Sequence, residues 1–135
     1  MIRDSKQRYI QLLDFLLAQK RVLLDTGLAY DLTLAQAITL LLLEKPQPMH
    51  FVATRISCDA SNVTGIVDSL ERKNLVQRID SPADRRIRLL KLQPKGTQLR
   101  KLLLGELSRN LDSLLNNLVD TEQEEFFQLL KNIAS

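Results

Sequence analysis

Apolar residues return at helical intervals along most of this chain. From about Asp4 to Leu24, Ile10, Leu13, Leu16 and Leu17 fall at i, i+3, i+6 and i+7, which predicts an amphipathic helix. Gly27 is expected to end it. Thr33 then opens a second helix, with Gln36 three residues later completing a capping-box pattern. Its body, Ala37–Leu43, is apolar on every side except at Thr39, so it belongs at the centre of a core. Pro46 and Pro48 break the chain after it. Two short helical patterns follow, Met49–Ile56 and Ala60–Lys73, around the turn Ser57-Cys58-Asp59, with Asp59 as N-cap of the second. That second helix carries Val63, Ile66, Val67 and Leu70 as one stripe. Ser61, Gly65, Asp68, Ser69 and Arg72 occupy the opposite face, flanked by Asn62 and Thr64. Asn74 is a helix stop that tolerates a left-handed backbone.

The period changes next. Leu75–Asp80 and Ile87–Leu92 mix apolar residues with Arg and Lys across the loop Ser81-Pro82-Ala83-Asp84-Arg85-Arg86, which predicts a hairpin with a charged tip. Pro94 suits the first turn of a further helix running through Leu99, Leu103, Leu107, Leu111 and Leu118, although Gly105 weakens its continuity. A last helix is expected near Thr121, with Glu124 completing a capping box, carrying Phe126, Phe127, Leu129, Leu130 and Ile133. The fold class is therefore mainly α with a small β-hairpin wing, a winged helix-turn-helix. Residues 1–30 form an N-terminal helix, 31–93 the winged unit and 94–135 C-terminal helices. The end helices offer more apolar stripe than a small monomer covers, which makes them dimerisation helices and the chain a homodimer.

Composition agrees and narrows the class. With four Gly and four Pro in 135 residues, little room is left for an all-β design. The lone Cys58 excludes an intrachain disulfide framework and suits a reducing, cytoplasmic setting. Leu12–Ala18 is interrupted by Asp14 and followed by no cleavage site, so no secretory leader is expected, and no run is long enough to span a membrane. The net charge of +3 is modest, but its distribution is uneven. Arg72, Lys73, Arg78, Arg85, Arg86, Arg88, Lys91, Lys95, Arg100 and Lys101 face only Asp80 and Asp84 in the same stretch. From Asp112 onward acids prevail. One surface is thus suited to a polyanion and another is not. One Cys, one His (His50, a surface or helix-start residue) and no Gly-rich phosphate loop exclude a nucleophile–base pair or a metal cluster, so neither an enzyme nor a cofactor is expected.

Leu32-Thr33-Leu34-Ala35-Gln36, the run Ala60–Lys73, Leu75-Val76-Gln77-Arg78, the loop Ser81–Arg86 and Leu92-Gln93-Pro94-Lys95-Gly96 together resemble the MarR family of regulators, in register from about Thr33 to Gly96. Asp-Arg-Arg at this distance from such a helix is the most specific element. Asn74 stands where the family usually has Gly, and Gln93 where it usually has Thr, which weakens the cap there. The resemblance implies a homodimer with interlocked first and last helices, a palindromic operator in double-stranded DNA, and response to a small aromatic, phenolic or amphipathic effector or to oxidation. Oxidation-sensing members resembling this family use a cysteine in the first helix. None stands there, and Cys58 is expected as a small packed residue of the turn.

Sequence is read at base edges in the major groove, while phosphate contacts set register. Ser61, Asn62 and Thr64 are short polar side chains near a helix N-terminus, the end such helices present to bases, and Asn62 suits a bidentate bond to adenine. Gly65 lets backbone approach the duplex. Arg86 is the wing residue suited to a narrow minor groove. By resemblance, Asp84 holds Arg86 in place and Arg85 assists with phosphates. Arg72, Lys73, Arg78, Arg88 and Lys91 are phosphate contacts or solvated charges, which the sequence leaves open. The competing readings are a solvated helix face and a solvated charged turn, in a winged helix that has kept its fold for protein interaction.

Overall fold

The computed structural model describes residues 4–56 and 62–134. Helices α1 (Ser5–Leu28) and α2 (Leu34–Leu42) lead into strand β1 (Gln47–Pro48) and helices α3 (Met49–Ile56) and α4 (Val63–Arg72). Strands β2 (Val76–Asp80) and β3 (Arg88–Leu92) follow, then helix α5 (Pro94–Leu114), a single 3-10 turn (Leu115–Asn117) and helix α6 (Asp120–Ala134).

Asp4 caps α1 by accepting from the Lys6 amide at 3.0 Å. The helix continues past Leu24, and Gly27 is buried inside its last turn, where it does not act as the stop expected of it. A Cβ on Gly27 would stand 3.1 Å from Ala37 Cβ, so the glycine is there to let α1 cross α2 closely. The turn itself is made by Asp31, at φ 59°, a left-handed conformation that Asp tolerates better than most residues. The capping box of α2 is present as expected: the Gln36 amide donates to Thr33 Oγ1 at 3.2 Å, and the Thr33 amide to Gln36 Oε1 at 3.0 Å. Ala37, Thr39 and Leu40 of α2 are fully buried, and Thr39 satisfies its hydroxyl on the Ala35 carbonyl at 2.7 Å. Around them close Val52 of α3, Val67 and Leu70 of α4, Val76 and Leu90 of the sheet, and Leu103 of α5.

The proline-flanked stretch after α2 forms β1, a two-residue edge strand antiparallel to β3, with Gln47 opposite Leu90 and Pro48 opposite Leu89. Proline is tolerated there because an edge position leaves one side of the strand without ladder bonds. The sheet runs β1-β3-β2, and the β2–β3 register extends from Val76 opposite Leu92 to Asp80 opposite Arg88.

α4 ends at Arg72, and just past its C-cap Lys73 stands Asn74, whose φ of 61° is the left-handed stop the sequence predicts. The Leu75 amide reaches back to the Leu70 carbonyl at 3.0 Å and the Asn74 amide to the Glu71 carbonyl at 2.9 Å, a Schellman closure that turns the chain directly into β2. Pro94 does open α5, and Gly105 does not interrupt it. Gln93 makes no side-chain cap; its amide group donates instead to the Val76 carbonyl at 2.7 Å, and its backbone N–H to the Leu75 carbonyl at 2.9 Å. Three residues on, a Cβ at Gly96 would lie 2.0 Å from the Leu75 carbonyl oxygen. Gly96→Ala is therefore expected to destabilise the fold by about 1–3 kcal/mol through forced displacement of the α4–β2 junction. Thermal melts against the parent measure it, and an unchanged melting temperature would show that the junction yields freely.

α5 stops at Leu114, short of the expected Leu118. The entry to α6 is capped by Glu122 Oε1 accepting from the Val119 amide at 3.0 Å, in place of the expected Thr121–Glu124 box. Tyr30 Oη donates to Glu106 Oε1 at 2.5 Å, tying the α1–α2 turn to α5 across 76 residues. Among the described residues, apolar surface remains uncovered on α1 (Tyr9, Ile10, Leu12, Leu16 and Leu17), on α5 (Leu102 and Leu114) and on α6 (Leu129, Leu130 and Ile133, the last 81% exposed). Among the described residues, no helix is long and apolar enough to cross a membrane.

Candidate nucleic-acid interface

α4 buries Val63, Ile66, Val67 and Leu70 and leaves its other face outward, with Asn62, Thr64, Gly65 and Arg72 all exposed. Asn62 sits at the N-terminal end without a capping bond from its side chain, so its amide is not consumed by the helix it precedes. Gly65 stands one turn on. A Cβ there would approach Asn62 Oδ1 at 3.0 Å, so the glycine also gives the Asn62 amide room. Ser61, like Cys58 and the expected N-cap Asp59, lies outside the described residues. The helix is held to α2 by Gln36 Nε2 donating to Ser69 Oγ at 3.0 Å. Ser69 is thereby a support and not part of the outward face.

The tip of the hairpin is ordered by its own polar groups. The Ser81 amide donates to the Ile87 carbonyl and the Ile87 amide to the Asp84 carbonyl, each at 3.0 Å, while Ser81 Oγ accepts from the amides of Ala83 and Asp84. Asp84 then grips Arg86. The Arg86 amide and Nε both donate to Asp84 Oδ1, at 3.0 and 3.1 Å, and Nη2 donates to Oδ2 at 3.2 Å. The Arg86 side chain is 91% exposed while that of Asp84 is 33% exposed, so the carboxylate works from behind the guanidinium. Those bonds to Arg86, from side chain first and backbone second, hold the Asp84 carboxyl below the usual carboxylate range. The fork occupies two of the five guanidinium N–H donors and leaves the rest for an incoming acceptor.

The other cations divide in a way composition did not reveal. Arg78 Nη2 donates to Asp68 Oδ1 at 2.8 Å, and its Nη1 to Glu71 Oε1, so this arginine is engaged by α4. Lys73 Nζ donates to the Asp31 carbonyl at 2.6 Å, and Arg100 Nε to the Leu41 carbonyl at 3.2 Å. Arg88 is paired across the hairpin with Asp80 at 3.0 Å but stays exposed. Arg72, Arg85 and Lys91 are exposed. The basic tract is thus partly a set of internal ties, and its outward charge is divided among the end of α4 (Arg72), the hairpin (Arg85, Arg86, Arg88, Lys91) and α5 (Lys95, Lys101). At the N-terminal end of α4, Asn62, Gly65 and Ile66 together with Lys20, Leu34 and Arg55 help line an open cleft of about 840 Å³.

Residues 32–87, which run from α2 through the tip of the hairpin, match the MarR family. The HTH-type transcriptional regulator MhqR of Bacillus subtilis is 28% identical over 88 residues, covering 65% of this chain and 61% of that protein, so the match spans less than two thirds of that relative. The crystal structure of the transcriptional regulator BldR from Sulfolobus solfataricus superposes with a TM-score of 0.76 at 27% identity, over 99% of this chain and 98% of that one. Bordetella bronchiseptica BpsR, whose DNA binding is regulated by 6-hydroxynicotinic acid, shares the fold with a TM-score of 0.74 at 23% identity, over 100% and 98% of the two chains. The named relatives are transcriptional regulators, the class that the sequence indicates. The winged unit, residues 32–87, thus matches the MarR family, and the whole length of the chain shares the winged helix-turn-helix fold of these regulators.

Proposed function

We propose that this protein is a sequence-specific DNA-binding transcriptional regulator that binds a palindromic operator as a homodimer, represses, and releases the operator when a small aromatic or amphipathic effector binds. The observation that carries the reading is the Asp84–Arg86 clamp: a cation held outward on a hairpin beside a helix with an unengaged Asn62 amide. Asn62, Thr64 and Gly65 form the base-reading end of α4, Ser61 is a further candidate for base contact, Arg86 enters the minor groove, and Arg72, Arg85 and Arg88 face phosphates. Residues 31–93 carry the contact with DNA, while 1–30 and 94–135 pair two subunits through their uncovered apolar faces. The cleft beside the N-terminal end of α4, where Lys20 and Arg55 stand beside apolar walls and next to Asn62, supports an effector site for an amphipathic anion, in a cytoplasmic protein.

Selection of bound duplexes from random DNA by the purified protein tests this, followed by titration at several salt concentrations. A palindromic consensus with steeply salt-dependent affinity is expected. Failure to enrich any duplex would favour a winged helix that serves protein interaction. On the selected site, Asn62→Ala should cost about 1–3 kcal/mol and relax preference at one position per half-site. An Asn62→Ala protein with unchanged preference at every position would remove Asn62 from base reading.

A further inference from the structure

Arg78 belongs to the basic tract, yet its geometry is that of an internal brace. It lies on β2 opposite Leu90, a fully buried residue, so the strand is anchored in the core where this side chain leaves it. The Arg78 side chain is 22% exposed and meets two carboxylates of α4, Asp68 at 2.8 Å and Glu71 beside it. Asp68 and Glu71 are three positions apart, the spacing at which side chains share one helix face. A planar guanidinium matches such a pair; a lysine ammonium, a point charge on a flexible stem, does not fix direction in the same way. The polar tie from α4 to α2 is the Gln36–Ser69 hydrogen bond, and that tie does not reach the hairpin. The Arg78 fork reaches from β2 to α4 and so constrains how the hairpin stands relative to the helix.

The electrostatics point the same way. Asp68 and Glu71 sit on the helix that carries Asn62 at one end and Arg72 at the other, where uncompensated carboxylates would repel a polyanion. Arg78 supplies the compensating charge from within the protein.

We propose that Arg78 is a positioning residue: by forking to Asp68 and Glu71 it fixes the angle between α4 and the wing, so that Asn62 and Arg86 engage one duplex together, while Arg78 itself touches no DNA. This rests on the DNA-binding reading given above. It separates Arg78 from its neighbours in the tract, Arg72, Arg85 and Arg86, and predicts behaviour opposite to simple charge attraction.

The test uses the full chain and a duplex selected by the parent, titrated over a range of salt. Thermal melts establish that Arg78→Ala, Arg78→Lys and the double variant Asp68→Asn/Glu71→Gln are folded. Arg78→Ala should bind about tenfold more weakly with the parent's salt slope, because no phosphate contact is lost. Arg78→Lys should fall between the two. Asp68→Asn/Glu71→Gln should also weaken binding, although it removes two negative charges per subunit. In an Arg86→Ala background the further loss from Arg78→Ala should shrink below about twofold, since the contact it positions is already gone. A salt slope lowered by about one per subunit in Arg78→Ala would make it a phosphate ligand and overturn the proposal. Tighter binding by the carboxylate variant, or full additivity with Arg86→Ala, would overturn it as well. If Arg78→Ala does not fold, Arg78→Lys and the carboxylate variant carry the same comparisons. Binding of the parent to no duplex at all would remove the functional reading itself, and the proposal with it.

Discussion

Replacing Arg86 with alanine is expected to weaken operator binding by about 10²–10⁴-fold. Hydrogen bonds to charged groups contribute about 1.5–3 kcal/mol each, and a dimer loses one such contact per subunit. The loss should be greatest on sequences whose minor groove is narrow, where the negative potential is strongest. The salt dependence should flatten by about two units for the dimer, one per subunit. Asp84→Ala supplies the sign that separates a positioned arginine from a merely positive wing. It raises the net charge by one per subunit, so Coulomb attraction alone predicts tighter binding. Loss of the three bonds from Arg86 to Asp84 predicts weaker binding, because the side chain must then be ordered when DNA arrives. Tighter binding by Asp84→Ala, or an unaffected Arg86→Ala, would take the wing out of the mechanism. The pH dependence follows from the same pair. Asp84 is held below the usual carboxylate range, so the clamp is complete at and above that range and is lost only as pH falls through the depressed value. Between about pH 5 and 8 the clamp does not titrate, and any change in affinity there has another origin.

The second large effect is expected at the apolar faces. Leu16 on α1 and Leu130 on α6 are 51% and 50% exposed, and neither belongs to the buried core. Leu16→Glu combined with Leu130→Glu should leave the winged unit folded and convert the protein to a monomer, because a carboxylate does not enter an apolar interface unpaired. Affinity for a full palindrome should then fall by about 10²–10⁴-fold, the usual gain from joining two binding modules. Binding to an isolated half-site should change little. Sedimentation and circular dichroism measure the first two expectations, and titration of both duplexes the third. A double variant that still sediments as a dimer would locate the subunit contact elsewhere.

What the sequence discloses, and what it hides, divides by distance along the chain. Thr33 and Gln36, three residues apart, announce a capping box because both partners of each bond lie in one turn. Asn74 announces a left-handed stop for the same reason, and Asp84 with Arg86 form their clamp across two positions. Gly27 misleads: as a glycine near a helix end it looks like a stop, but its reason is Ala37 on another helix. Gly96 answers to Leu75, and β1 exists only because β3, some forty residues later, supplies its ladder. A two-residue strand has no period to detect. Arg78 is the plainest case in the candidate site. In the sequence it is one cation among ten between Arg72 and Lys101, and only the return of β2 past α4 brings Asp68 and Glu71 to it.

The strand order carries a consequence for how safely this protein is made. In the order β1-β3-β2 the central strand has both neighbours, so an arriving chain can add only at β1 or β2. β1 is two residues long and ends in Pro48, which has no N–H to offer. β2 is five residues long and ends in the exposed Asp80, and charge on an edge discourages a second strand from pairing there. A nascent or partly unfolded wing therefore makes a poor template for intermolecular sheet growth. That protection matters in a molecule whose α1 and α6 leave broad apolar surfaces uncovered.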